Sequence, residues 1–274
     1  MINHPKNILA GYDLEPRKSL GQNFLFDDNV LARIVDAADL QPGDEVLEIG
    51  PGLGSLTSLL AAKAERVVAV ELDGRLLPAL QGKIAGLDNV EIVEGNILEQ
   101  DPAALFAGPY KVVANVPYYI TGAILRHLLD GTHKPASMVL TVQKEVANRL
   151  TAEPPDMSLL AVSALFYGDV QRVGTIKAGA FWPRPNVDSA VIKIDIRPHA
   201  AQAGVQEEAF FTIVRTGFSQ KRKQLQKNLR QLGVGRTAVA AALEEAGIDG
   251  TRRAETLTLD EWLALVKAFE AQES

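Results

Sequence analysis

No cysteine occurs in the 274-residue chain, which excludes disulfides, thiolate nucleophiles and cysteine-ligated metals. Histidine is scarce as well. His4, His127, His133 and His199 are scattered along the sequence and suggest neither a catalytic dyad nor a metal site, so no metal is expected. No apolar stretch reaches the ~18 residues that a membrane span needs. The segment from Met1 to Leu20 carries charges and prolines but no apolar core of signal-peptide length, so a cytoplasmic protein without membrane attachment is expected. Positive charge is also in deficit, with 28 Lys and Arg against 34 Asp and Glu. Read as an average, that balance speaks weakly against a nucleic-acid partner.

The distribution of charge reverses that reading. Between Arg215 and Arg236 lie Arg215, Lys221, Arg222, Lys223, Lys227, Arg230 and Arg236 with no acidic residue among them, a local positive surface of the kind that phosphate backbones select. The alternative is a solvated helix face. Apolar residues make up 47% of the chain, enough for one large core and a small second domain.

From Glu45 to about Val142, short β-branched runs alternate with helical patterns, which is the mark of a parallel sheet covered on both faces. The expected strands are 45–49, 66–71, 90–93, 111–114 and 137–142, with helices at 55–64, 75–86 and 122–129. A further strand pair is expected at 159–166 and 190–196, although the first of these could equally be a buried helix segment. A linker is expected after Arg197-Pro198-His199. From Glu207 onward the spacing is helical, broken at 232–235 and 247–250, with a last helix starting at Leu259. The fold class is therefore α/β, with a catalytic domain at 1–197 and a small all-helical domain at 198–274.

The run Glu48-Ile49-Gly50-Pro51-Gly52-Leu53-Gly54 follows the first strand of this series and opens a helix, so its glycines sit where the chain turns tightly and a ligand can approach the backbone. The spacing is not that of a dinucleotide site, and no Gly-Lys-Ser/Thr for a nucleoside triphosphate is present. Glu71 closes the next strand about 20 residues on, where a carboxylate can accept both ribose hydroxyls of an adenosine. This E-x-G-x-G-x-G form resembles the first motif of S-adenosylmethionine-dependent methyltransferases. Asn96 falls at the carboxyl edge of the following strand, where its amide can accept from an adenine amino group and donate to a ring nitrogen.

Asn115-Val116-Pro117-Tyr118 ends the fourth strand and is the most informative stretch. The amino nitrogen of adenine is a poor nucleophile because its lone pair is delocalised into the ring. An enzyme must hold both amino hydrogens. The Asn115 side-chain oxygen and a backbone carbonyl at Val116 or Pro117 can accept them, and proline helps to fix the carbonyl. Tyr118 offers a flat face on which the extruded base can stack. No strong general base is required, since the nitrogen becomes acidic once alkylated.

Three further stretches, 17–25 (Arg-Lys-Ser-Leu-Gly-Gln-Asn-Phe-Leu), 181–189 (Phe-Trp-Pro-Arg-Pro-Asn-Val-Asp-Ser) and 218–225 (Phe-Ser-Gln-Lys-Arg-Lys-Gln-Leu), join these motifs in one order. Together they resemble the ribosomal RNA adenine dimethyltransferases, most closely the bacterial small-subunit enzymes. The resemblance spans nearly the whole chain. It implies a Rossmann-like sheet that uses S-adenosylmethionine, with Gln22, Asn23 and Leu25 at the cofactor entrance and Gly50 on the methionine part. It places Glu71 on the ribose and Asn96 on the adenine, with Gly52 and Leu72 also at the cofactor. Asn115, Pro117 and Tyr118 would form the reaction centre, and Phe181 would stack on the other face of the target base. Arg215, Lys221, Arg222, Lys223, Lys227 and Arg230 would contact RNA. The implied activity is transfer of methyl groups to two adjacent adenines near the 3′ end of small-subunit ribosomal RNA by a monomer acting on immature subunits in ribosome biogenesis.

The sequence departs from that family at Asn96, where Asp is usual and where the amide should cost on the order of 1 kcal/mol at most in cofactor binding. The connection at 151–158 is also short and lacks glycine. The rival readings are a large-subunit ribosomal RNA methyltransferase, a DNA adenine methyltransferase, a dinucleotide oxidoreductase and a non-catalytic RNA-binding assembly factor. Val116, in place of the second proline of a D/N-P-P-Y/F motif, argues against the DNA enzyme.

Overall fold

The computed structural model describes residues 4–197 and 204–273, so most of the expected linker, His199 included, lies outside the described residues. The chain divides into two compact units, Met1–Ala147 with Gln171–Ile196, and Asn148–Val170 with Arg197–Ser274. A single cut at 197 leaves Asn148–Val170 with the sheet, whereas that segment joins the C-terminal helices. No helix of the described residues is long and apolar enough to cross a membrane.

The sheet has seven strands: β2 (Glu45–Ile49), β3 (Arg66–Glu71), β4 (Val90–Glu94), β5 (Tyr110–Asn115), β6 (Ser137–Gln143), β7 (Gly168–Ile176) and β9 (Ser189–Ile196), in the order β4-β3-β2-β5-β6-β9-β7. Strands β2 to β6 pair in parallel, and β9 runs antiparallel to β6. Val46, Leu47, Val67, Val68, Val112 and Val113 are buried on both faces of the sheet, which is why these strands read as continuous apolar runs rather than alternations. The helix Asp28–Ala37 covers one face with Val30, Leu31, Ile34 and Val35. It starts where it does because Asp27 Oδ1 accepts from the Asn29 and Val30 amides at 3.0 and 3.1 Å.

The order of the strands matters more than their number. Connections run outward in opposite directions from β2 and β5, so the loops at their carboxyl ends diverge and leave a crevice, the position where open α/β sheets bind ligands. The glycine turn follows β2 and Asn115–Tyr118 follows β5. A short antiparallel pair, β1 (Phe24–Leu25) with β8 (Phe181–Trp182), brings the N-terminal segment to the same unit.

Of the two readings open for residues 159–166, strand or buried helix, the structure has the helix. Leu159–Tyr167 is helical, capped by Ser158, whose hydroxyl accepts from the Ala161 amide at 3.0 Å, and β9 lies between β6, its antiparallel partner, and β7. Its apolar residues gave no helical periodicity because the helix is apolar nearly all round. Phe166 stacks on Phe210 with ring centroids 4.1 Å apart, within the second unit. That unit also holds the helices Glu207–Gly217, Leu225–Leu229, Arg236–Glu245 and Leu259–Glu273. Gly217 is fixed there by space: a Cβ on it would stand 2.4 Å from Trp262, which is fully buried.

Candidate active site

The glycine turn leaves β2 with positive φ at Gly50 (+70°), Gly52 (+59°) and Gly54 (+80°), a region costly for any residue with a Cβ. Gly54 is packed from outside, since a Cβ there would meet Leu80 at 2.9 Å. A Cβ on Gly50 would meet no atom within 4 Å. Its backbone therefore faces open space, and that space is a cavity walled by the turn, the ends of β3, β4 and β5, and the N-terminal segment.

Glu71 reaches this cavity from the end of β3. Its Oε2 accepts from the Gly52 amide at 2.9 Å and its Oε1 from the Asp73 amide at 2.8 Å, so the carboxylate pins the turn. Burial pushes its pKa up, against those two amides. Glu48 lies deeper, 1% exposed, with Oε2 lacking a hydrogen-bond partner among the described residues. Burial drives its carboxyl up to about 8, and the Glu71 charge adds to that shift, so Glu48 is mostly protonated at neutral pH.

The N-terminal segment is latched onto the cavity by Asp73. Gln22 Nε2 donates to Asp73 Oδ2 at 2.8 Å while Gln22 Oε1 accepts from the Arg17 amide at 2.7 Å. Arg75 Nη2 binds the same carboxylate at 2.6 Å and, with the Gln22 amide, holds its pKa below the usual range despite burial. The Gln22 amide is thus committed to the latch, and the cavity wall at this point is completed by Asn23 and Leu25. Asn115, on β5, donates from Nδ2 to the Asn23 carbonyl at 3.1 Å, which ties the latched segment to the end of β5. Its Oδ1 has no hydrogen-bond partner among the described residues.

Pro117 accepts the Ile120 amide at 3.2 Å, whereas the Val116 carbonyl takes no backbone amide among the described residues. Tyr118 stands on the wall with its hydroxyl 2.6 Å from Ser189 Oγ, and burial raises its pKa. Leu72 lines the cavity and is 48% exposed. Asn96 also lines it, but its amide is engaged: Oδ1 accepts from the Leu98 amide and Nδ2 donates to Glu99 Oε1, both at 3.1 Å. An Asp there would face the Glu99 carboxylate.

Of the residues expected at the site, Gln22, Asn23, Leu25, Gly50, Gly52, Glu71, Leu72, Asn96, Asn115, Pro117 and Tyr118 all line the one cavity. Phe181 does not. It is 2% exposed and pairs with Leu25 across β1 and β8, with its ring in a cluster that includes Ile34 and Val191, so in this structure it is a packing residue. Sequence reading missed Glu48 as a buried acid, Asp73 as the latch and Ser189 as the partner of Tyr118. Glu48 carried a signal as the first residue of the glycine motif and Ser189 as the last residue of the 181–189 stretch, whereas Asp73 carried none.

The second unit carries the basic residues. Arg215, Lys221, Arg222, Lys223, Lys227 and Arg230 are all exposed, and none forms an ion pair among the described residues. The Arg215 guanidinium lies 5.4 Å from the centre of the Phe211 ring.

A family model described as ribosomal RNA adenine dimethylase matches residues 14–271. The chain belongs to that family. A relative from Dehalococcoides mccartyi strain 195, named ribosomal RNA small subunit methyltransferase A, is 48% identical over 98% of this chain and 94% of its own length. One of the same name from Pelotomaculum thermopropionicum is 43% identical over 96% and 95%. Among solved structures, the 23S rRNA methyltransferase ErmE aligns with a TM-score of 0.74 and 30% identity over 90% of this chain and all of its own. A dimethyladenosine transferase from Plasmodium falciparum shares the fold, with a TM-score of 0.81 and 24% identity over 91% and 98%. As a member of this family, the chain is an S-adenosylmethionine-dependent ribosomal RNA adenine dimethyltransferase. The cavity fits that cofactor: the backbone at Gly50 is open to a ligand, and the Glu71 carboxylate and the mostly neutral Glu48 carboxyl group line the same space as hydrogen-bonding groups.

Proposed function

We propose that this chain transfers methyl groups to the exocyclic amino groups of two adjacent adenines near the 3′ end of small-subunit ribosomal RNA, working as a cytoplasmic monomer on the immature subunit. The observation that carries the reading is the polarity of Asn115: its Nδ2 is committed to the Asn23 carbonyl, so its Oδ1 is left as an acceptor at the cavity. Asn115 Oδ1 accepts one amino hydrogen of the target base and the Val116 carbonyl accepts the other, which draws the nitrogen lone pair out of conjugation. Tyr118, anchored through Ser189, carries the base on its face. S-adenosylmethionine supplies the methyl group as a sulfonium, and positioning supplies most of the rate. Glu71 orients the ribose of the cofactor, Gly50 and Gly52 admit its methionine part, and Asn96 and Leu72 flank its adenine.

The small subunit is favoured over the large because curated relatives with the small-subunit name reach 48% identity, against 30% for the 23S enzyme of known structure. Mapping dimethylated adenines in ribosomal RNA from cells with and without the gene tests this; marks that persist on the small subunit in its absence refute it.

Arg215, Lys221, Arg222, Lys223, Lys227 and Arg230 supply backbone contacts to the RNA. Neutralising Lys221, Arg222 and Lys223 together should weaken binding to small-subunit particles and reduce the slope of log affinity against log salt by about 2 to 3. An unchanged slope, measured by filter binding across salt concentrations, would return the cluster to a solvated surface.

A further inference from the structure

Tyr119 has no part in the chemistry so far described, yet it is 59% exposed, the most exposed large hydrophobic side chain among the described residues. It lines the mouth of the same cavity as Asn115 and Tyr118. Residues 118–120 form a 3-10 turn, in which consecutive side chains diverge by about 120°. Tyr118 therefore turns inward to Ser189 while Tyr119 turns outward. The Tyr119 ring is held from one side by Gly21: a Cβ on that residue would stand 3.3 Å from Tyr119 Cδ1, so only a glycine, at φ +63°, lets the ring rest there without displacement. The latched segment thus backs the ring and leaves the rest of it to solvent.

An aromatic ring so placed answers a specific need. A base that enters the cavity must leave its stack, and its neighbour in the strand then loses a stacking partner. We propose that Tyr119 is the stacking platform for the nucleobase next to the target, holding the second adenine while the first occupies the Tyr118 pocket. The inference rests on the reading of Asn115 to Tyr118 as the target site. Base stacking on an aromatic side chain tolerates any base and favours large flat ones, so an adjacent purine suits it.

The test is steady-state methylation of immature small-subunit particles by the full chain, with cofactor affinity measured separately by calorimetry. Tyr119→Ala should lower kcat/KM for particles about 5- to 100-fold, mainly through KM, while the cofactor Kd moves less than about twofold. Tyr119→Phe and Tyr119→Trp should restore the wild-type values, because both keep a flat face. Tyr119→Leu keeps an apolar contact with Gly21 but offers no face, and should behave as Tyr119→Ala does. The proposal is overturned if Leu substitutes fully for Tyr, or if the cofactor Kd worsens as much as KM does, since either would reduce Tyr119 to a packing residue. Asn115→Ala, assayed alongside, keeps the two readings apart: its full activity would refute the target site, whereas an inactive Asn115→Ala together with a Tyr119→Ala of wild-type kcat/KM, or a Tyr119→Phe as impaired as Tyr119→Ala, would refute stacking alone.

Discussion

Asn115→Ala will lower the rate of methyl transfer by on the order of 10²- to 10³-fold, the scale on which removing one preorganised polar contact to the reacting group acts, while cofactor affinity falls less than about tenfold. The two effects separate because the two ends of the amide do different work. In the proposed mechanism the Oδ1 end accepts from the target amino group, where the hydrogen bond would strengthen as the nitrogen pyramidalises. The Nδ2 end donates 3.1 Å to the Asn23 carbonyl, a neutral hydrogen bond of about 1 kcal/mol. Asn115→Asp discriminates further. It keeps an acceptor for the base but sets a carboxylate against the Asn23 carbonyl, so it should loosen the latched segment and weaken cofactor binding more than the alanine variant does. Single-turnover rates and calorimetric Kd values for the two variants check this, and an alanine variant of wild-type rate would dispose of the mechanism.

Glu48→Gln should make the cofactor-free protein more stable in mildly alkaline solution and remove part of its pH dependence. Folded Glu48 titrates near 8 because burial disfavours its charge, whereas in the unfolded chain it titrates near its ordinary 4.5. Between those values the folded state holds a proton that the unfolded state has lost, so stability is fully present below about pH 4.5 and declines as pH rises toward 8. At about 1.4 kcal/mol per unit, the loss at and above pH 8 amounts to several kcal/mol at most. Glutamine is isosteric and neutral at every pH. The difference in unfolding free energy between the two proteins, from urea titrations at pH 5 and pH 8.5, should grow with pH in favour of the variant. A constant difference would mean that Glu48 is ionised in the fold. The mutation removes one of the two carboxyl groups at the cavity, so a gain in stability joined to weaker cofactor binding would mark Glu48 as a group kept for function at the expense of stability.

Several parts of this protein are legible in the sequence alone. The strands 45–49 and 66–71 were read to the residue, because a strand buried on both faces must be a continuous apolar run bounded by turn residues. The glycine turn, Glu71 and Asn115 to Tyr118 were legible for a related reason: each sits at the carboxyl end of such a strand, and topology brings those ends together. The helix Leu159–Tyr167 was legible only as one of two alternatives, since a segment buried on nearly all sides has no periodicity to read. Phe181 reads the same in sequence whether it faces a base or the core, and only its register opposite Leu25 puts it in the core.

The sequence by itself determined the class of fold and the family to which its motifs belong, because short-range spacing encodes strand, turn and residue type together. Tertiary structure alone decided which atoms of those residues are free. The Gln22 amide is spent on Asp73 across 51 positions and the Asn115 Nδ2 on Asn23 across 92, leaving Asn115 Oδ1 open among the described residues. Burial alone made Glu48 a neutral acid and left Tyr119 outside as a face for a second base. Hydrogen-bond partners and desolvation depend on contacts between distant positions, and no local pattern of residues records them.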